Sequence, residues 1–203
     1  MAAPKPITDG IIKFRCDWVR AKAVPLREIK TLNTWRERLY SLGLIGVYPT
    51  GIGFGNVSVR RKDAGTFLIT GSATGNLRHL NGRHFTRVVD FNLDENSLTC
   101  KGPIKASSES LSHAVVYESN KAVSSVMHVH NLALWKKFLG KAPTTSAKAE
   151  YGTPEMAREI ERLLEKMGRP VKGFMVMGGH KEGVLVFGRT PDEAGKILLE
   201  YLR

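Results

Sequence analysis

The sequence predicts a single α/β domain in which a central, mostly antiparallel β-sheet is flanked by helices. Three observations carry this expectation. The chain has 203 residues, long enough to bury one sizeable core. Short strand-like runs alternate along it with stretches whose apolar residues recur at helical spacing. Two pairs of strand-like runs, 88–93 with 97–100 and 171–177 with 184–188, are joined by short turns as in hairpins. Hydrophobic content of 42% and charged content of 25% are ordinary for a globular protein. No repeat or break in composition argues for a second domain.

In chain order, residues 1–10 read as a loose tail. Residues 11–18 alternate, with Ile12, Phe14, Cys16 and Trp18 on one face and Lys13, Arg15 and Asp17 on the other, as a half-buried strand does. A helix is predicted over 26–42 from the stripe Leu26, Ile29, Leu32, Trp35 and Leu39, with Gly43 just past its end. Trp35 and Tyr40 are read as core packing. Three glycines, Gly51, Gly53 and Gly55, lead into an alternating strand at Asn56-Val57-Ser58-Val59-Arg60. A turn at 62–65 and a strand over 66–70 follow, then Gly71-Ser72-Ala73-Thr74-Gly75. Arg78, His79, Arg83, His84 and Arg87 form a basic connection, read as solvated.

The segment Ala106-Ser107-Ser108-Glu109 opens a predicted helix that runs to 119, with Ser107 or Ser108 as cap and Glu109 in its first turn. Its exposed N–H groups make a ready anion site, and His113 shares the Glu109 face. A strand through Val126-Met127-His128-Val129-His130 comes next, then a helix over 132–139 and a polar connection over 141–149. Thr153 and Pro154 start a helix whose stripe is Met156, Ile160, Leu163, Leu164 and Met167. The turn Gly178-Gly179-His180-Lys181-Glu182-Gly183 separates the last two strands. Thr190-Pro191-Asp192-Glu193 reads as a full capping box for a final helix ending near residue 202.

Charge narrows the partners. Lys and Arg number 31 against 19 Asp and Glu, leaving +12, which favours an anionic ligand. The basic residues are spread along the chain without aromatic interleaving, so nucleic acid is not expected as a partner. No apolar run reaches the roughly 18 residues of a membrane span. Two cysteines, Cys16 and Cys100, are too few for a disulfide framework, and the N-terminus lacks the apolar core of a secretory signal. A cytoplasmic location is expected.

The chemistry concentrates at His128-Val129-His130. Side chains two apart on a strand project from one face, so the two imidazoles can take adjacent positions around one divalent metal. The alternative is a strand end carrying two hydrogen-bonded histidines. His180 sits in a glycine-flanked turn that can aim a side chain at a neighbouring strand. The glycine-rich run at 51–55 with Asn56, and Gly71 to Gly75, offer bare N–H groups and hydroxyls to an anion.

Taken in order, Gly55-Asn56-Val57-Ser58-Val59-Arg60, Ile69-Thr70-Gly71-Ser72-Ala73-Thr74-Gly75, Ser107-Ser108-Glu109, His128-Val129-His130 and the glycine-flanked His180 turn resemble the class II (metal-dependent) sugar-phosphate aldolase/adducin family. The resemblance covers roughly residues 32–200. It divides the chain into an N-terminal tail and extra strand over 1–25 and a family-like domain over 26–203. It implies that His128, His130 and His180 hold a divalent metal, usually zinc. It makes Glu109 the catalytic carboxylate, and it implies a phosphate cradle of Gly55, Asn56, Thr74, Gly75, Ser107 and Ser108. The implied activity is a metal-dependent lyase cleaving a small phosphorylated ketose through a metal-stabilised enediolate, in a cyclic homotetramer. Epimerase, dehydratase and decarboxylase relatives, and non-catalytic adducin-like modules, are the alternatives.

Two features depart from the family pattern. The tyrosine expected after His-x-His as second acid is missing, since no tyrosine lies between His130 and Tyr151; Tyr151 and Tyr201 are the candidates to replace it. His180 is followed by Lys181-Glu182-Gly183, where relatives usually have glycine directly.

Overall fold

A computed structural model of the chain describes residues 11–61 and 65–203. The tail expected over 1–10 and most of the turn at 62–65 lie outside the described residues. The strands are β1 (Arg15–Arg20), β2 (Gly46–Val47), β3 (Gly53–Phe54), β4 (Asn56–Arg60), β5 (Phe67–Thr70), β6 (Phe85–Asn92), β7 (Ser97–Gly102), β8 (Ser125–His130), β9 (Gly173–Val176) and β10 (Gly183–Gly188). The helices are α1 (Leu26–Ser41), α2 (Ser110–Ser119), α3 (Leu132–Phe138), α4 (Pro154–Lys166) and α5 (Pro191–Tyr201). Eight strands form one sheet in the order β1-β7-β6-β5-β4-β8-β10-β9, and β2 pairs with β3 as a separate hairpin. Every pairing in the large sheet is antiparallel except β1 with β7.

The predicted α/β class with a mostly antiparallel central sheet is therefore the observed one. Each inner strand sends alternate residues to opposite faces. Phe67, Ile69, Val126, Leu185 and Phe187 pack with Leu111 and Val115 of α2 and Ile160 and Leu164 of α4. Leu68, Met127, Val129, Val184 and Val186 pack on the other face with Ile29, Leu32 and Leu39 of α1 and Leu198 of α5. Both faces being covered, β8 is buried along its whole length, which is why its sequence reads as continuously apolar up to the histidines.

Local chemistry explains the boundaries. Helix α1 ends in a Schellman motif: Leu44 N–H donates to Leu39 O at 2.9 Å and Gly43 N–H to Tyr40 O at 3.0 Å. Gly43 supplies the left-handed φ of +69° that this geometry needs. Trp35 is core, as expected, and its ring presses on α5 where Gly195 has no side chain to obstruct it. The Thr153 hydroxyl accepts from Met156 N, with Pro154 at the first helical position.

Some expectations need correction. The first strand begins at Arg15 rather than at 11, although Phe14, Cys16 and Trp18 do turn inward and Arg15 and Asp17 outward. Strand β4, read as alternating, does not alternate in burial, because Asn56, Val57 and Ser58 are all buried. Helix α2 starts at Ser110 with Glu109 as its N-cap residue, and neither Ser107 nor Ser108 caps it by a side chain. Instead Ser107 O accepts from the Ser110 N–H and hydroxyl, a tight turn that takes the two serines out of the helix. The capping box of α5 is half made. Thr190 Oγ1 accepts from Glu193 N, but the Glu193 carboxylate accepts from Arg189 N, one residue before the cap.

Candidate metal centre

Strand β8 lies between β4 and β10, and its C-terminal end carries His128 and His130 towards the α2/α4 face of the sheet. His128 stands opposite Asn56 of β4 and Leu185 of β10, and His130 opposite Gly183. That register sets the β9–β10 turn beside the end of β8. His180, in the turn, is held by His180 N–H to Met177 O at 3.1 Å and by Gly183 N–H to His180 O at 2.9 Å. A Cβ on Gly179 would lie 1.8 Å from Ala149 O, so only glycine lets the turn nest against the 145–149 connection.

The three rings meet. Donor atoms of His128, His130 and His180 all lie within 4.8 Å of one another, and all three residues are buried. Nε2 of His128 and Nε2 of His130 are 3.0 Å apart. Glu109, 1% exposed, accepts from the Ser112 hydroxyl at 2.7 Å and brings Oε1 to 3.9 Å from His180 Nδ1. Burial, and then His180 and His128, push the His130 pKa well below that of a free imidazole. A neutral ring is the form that ligates metal.

Hydrogen-bond partners fix which nitrogen points inward. His128 Nδ1 lies 3.1 Å from Val184 O, a pure acceptor, so Nδ1 carries the proton. Tyr48 Oη lies 2.7 Å from His130 Nδ1 and gives its own proton to Glu182 Oε2 at 2.9 Å. The phenol oxygen therefore accepts from His130 Nδ1. Both Nε2 atoms then turn lone pairs towards each other across 3.0 Å. Two neutral lone pairs that close repel unless a cation or a shared proton lies between them. Nitrogens on one tetrahedral zinc ion are about 3.4 Å apart, so this donor set fits a divalent cation. Three imidazoles leave a coordination position open, the pattern of catalytic rather than structural sites.

Beside the histidines is a cleft of about 190 Å³. All six residues expected to cradle phosphate, Gly55, Asn56, Thr74, Gly75, Ser107 and Ser108, line it together with Glu109 and His128. Close backbone contact requires two of the glycines. Gly55 has φ +76° with Ile45 and Leu44 against it, and a Cβ on Gly75 would lie 2.2 Å from Gly46 O. The Thr74 hydroxyl donates to Gly71 O at 2.9 Å, closing its own loop.

Of the two candidate tyrosines, the structure brings only Tyr151 to the histidines. Its ring lies 4.5 Å from that of His180, and Lys13 Nζ sits 3.7 Å above it while donating to Tyr151 O at 3.1 Å. Tyr201 is a correction. It stacks on Phe174 at 4.0 Å and against Phe138, packed on the opposite face of the sheet. His113, although on the Glu109 side of α2, belongs to a buried polar chain. Its Nδ1 is 2.6 Å from Ser58 Oγ, which is 2.7 Å from Tyr117 Oη.

Sequence reasoning missed Arg36, Tyr48, Phe54 and Lys13. Arg36 interrupts the stripe of α1 and has no local signature. It is fully buried, and its guanidinium donates to Thr74 O at 2.8 Å, Arg78 O at 2.9 Å and Leu77 O. Burial draws its pKa down to about 10, so the cation persists beneath the cleft loop at neutral pH. Phe54 stacks on His130 at 5.3 Å. Glu182 was visible only as a departure from the family pattern.

Residues 50–202 match the family model of the class II aldolase and adducin N-terminal domain. The chain belongs to this family. Its fold recurs in solved structures at low identity. An L-fuculose 1-phosphate aldolase superposes with a TM-score of 0.63 at 17% identity, covering 89% of this chain and 83% of that one. A sugar-phosphate aldolase from Thermotoga maritima gives 0.60 at 17%, covering 87% and 96%. YgbL of Klebsiella pneumoniae, described with aldolase, epimerase and decarboxylase as candidate activities, gives 0.62 at 19%, covering 87% and 86%. No curated protein sequence matches. The class II aldolase family generally depends on a divalent metal, and the histidine triad of this member could bind one.

Proposed function

We propose that the protein is a divalent-metal-dependent lyase that cleaves a small phosphorylated ketose by a reversible aldol reaction. The observation that carries this reading is the meeting of three ligand-competent histidines and a buried carboxylate at the edge of one cleft lined by glycines, serines and Asn56. His128, His130 and His180 would hold the metal. Bound there, a divalent cation supplies Lewis-acid polarisation of the carbonyl and neighbouring hydroxyl oxygens.

The other roles belong to the chain itself. Backbone N–H groups of the Gly55 and Gly75 turns, the Asn56 amide and the Ser107 and Ser108 hydroxyls would bind the phosphate and fix the sugar's register. The net charge of +12 favours such an anion from a distance. In the condensation direction the Glu109 carboxylate takes the proton from the carbon next to the carbonyl. That carbon then bonds to the aldehyde carbon, and the aldehyde oxygen gains a proton. In cleavage the carbon–carbon bond breaks and Glu109 returns its proton. Of the two tyrosines considered for the aldehyde oxygen, this reading assigns the proton to Tyr151.

Purified protein loaded with zinc is incubated with a panel of ketose phosphates, and products are read by mass. Cleavage into an aldehyde and a three-carbon ketone phosphate is expected. Unchanged mass with inverted stereochemistry, loss of water or loss of carbon dioxide would replace the lyase with an epimerase, dehydratase or decarboxylase.

A further inference from the structure

Behind His130, on the side away from the other imidazoles, runs a chain of two side chains to which no role has yet been given. Tyr48 lies between His130 Nδ1 (2.7 Å) and Glu182 Oε2 (2.9 Å). Tyr48 lies before the residues matched by the family model, and Glu182 lies where the His180 turn departs from the family pattern. Tyr48 follows β2 at the start of the hairpin loop, and its ring packs on Phe54 at 4.5 Å. Glu182 belongs to the Lys181-Glu182 step that separates His180 from Gly183.

We infer that Tyr48 and Glu182 are positioning residues that hold His130 in the Nδ1–H tautomer and thereby set the metal affinity of the triad. The inference rests on the metal reading of the three histidines. A phenol has one proton. With Glu182 present, a carboxylate that only accepts takes this proton, and the phenol oxygen is left to accept from Nδ1–H. Nε2 must then present its lone pair, aimed at His128 Nε2. Without Glu182 the same phenol turns its proton to His130 Nδ1. The ring proton moves to Nε2, which then cannot ligate.

The backbone supports a purpose for Glu182. It adopts φ +74°, a left-handed conformation that strains a non-glycine residue. Asn131 N–H, donating to Glu182 O at 2.9 Å, ties that strained residue to the first residue after β8. The carboxylate, the strained turn and the end of the histidine strand are thus one unit. Tyr48 also links it to the hairpin whose Gly53 and Phe54 line the anion cleft.

The test uses the full chain with Zn2+ as probe. Tyr48→Phe keeps the ring and its packing, and Glu182→Ala removes the acceptor. Competition against a chromogenic chelator is expected to show a 10–100-fold weaker Kd in each, the range for lost partners of a metal-ligating histidine. Glu182→Gln, which keeps an acceptor oxygen, should lose only a few-fold. Nitrogen NMR of the metal-free protein should find His130 as Nδ1–H in the wild type and shifted towards Nε2–H in Glu182→Ala. Unchanged Kd in Tyr48→Phe and Glu182→Ala would overturn the inference. So would a loss matched by an equal drop in melting temperature in chelator, since that marks a structural role. Wild-type protein that binds no zinc would instead remove the metal reading, while the tautomer measurement would still decide the proton's place on His130.

Discussion

His128 and Glu109 carry different parts of the proposed chemistry, and single substitutions separate them. Glu109→Gln keeps the shape and the bond from Ser112 but removes the base. Metal content should stay near one equivalent while turnover falls by roughly 10²–10⁴-fold, the usual worth of a positioned acid–base group. Single-turnover kinetics beside metal analysis would check this, and near-normal rates would remove Glu109 from its role. His113 makes a separate prediction about stability. Burial, followed by the neighbouring His128, holds its pKa well below the ordinary 6.5. The unfolded chain therefore binds a proton as pH falls below about 6.5, and the folded one does not. Stability is unaffected above that value and declines below it, by about 1.4 kcal/mol per pH unit for this one group. Urea unfolding between pH 6.5 and 5 should show that slope reduced by about one proton in His113→Gln.

At the scale of elements, the site depends on how one turn is seated. The β9–β10 turn reaches the end of β8 only because β10 pairs with β8 and because Gly178 and Gly179 let the 145–149 connection lie on top of it. In Gly179→Ala the new methyl would meet the backbone oxygen of Ala149, which cannot swing aside. A destabilisation of roughly 1–3 kcal/mol is expected, together with loss of zinc binding as His180 is displaced. Calorimetry and metal titration test both halves; intact zinc affinity would mean that the turn can relax without moving His180. The periodic pattern made these elements legible one by one. The partial capping box at Thr190 and the late start of α2 were not legible, because a side chain chooses between neighbouring N–H groups only once the loop before it has a shape.

For the whole molecule, a metal bound to the triad joins β8 to the β9–β10 turn, two segments about 50 residues apart in the chain. Ligands that bind only the folded state stabilise it by mass action, about 2.7 kcal/mol at a free concentration 100 times Kd. For a chain of this length that is a shift of roughly 5–10 °C. Melting in zinc and in chelator should differ by that amount in the wild type and not at all in His128→Ala. Equal melting temperatures for the wild type would count against a metal in the triad. The edge strand β1 enters the same picture, since Lys13, two residues before it, sits on the ring of Tyr151, which lies on His180.

The sequence by itself determined the class of fold, the order of the elements other than the β2–β3 hairpin, and the shared face of His128 and His130. Those follow from period two, period 3.6 and the chemistry of turn residues, all of which act between near neighbours. The order of five short motifs also pointed to the family. Only the tertiary structure decided that Tyr151 and not Tyr201 meets the histidines, because the two lie on opposite faces of a sheet whose strand order no local pattern encodes. It alone revealed Arg36 beneath the cleft and the Tyr48–Glu182 pair behind His130. A buried cation held by carbonyls and a tautomer set by a distant carboxylate are both products of long-range pairing. Arg36 lies 38 to 42 positions from the carbonyls it meets, and Tyr48 lies 134 from Glu182; no periodicity announces such meetings, so their chemistry exists only once the sheet has closed around it.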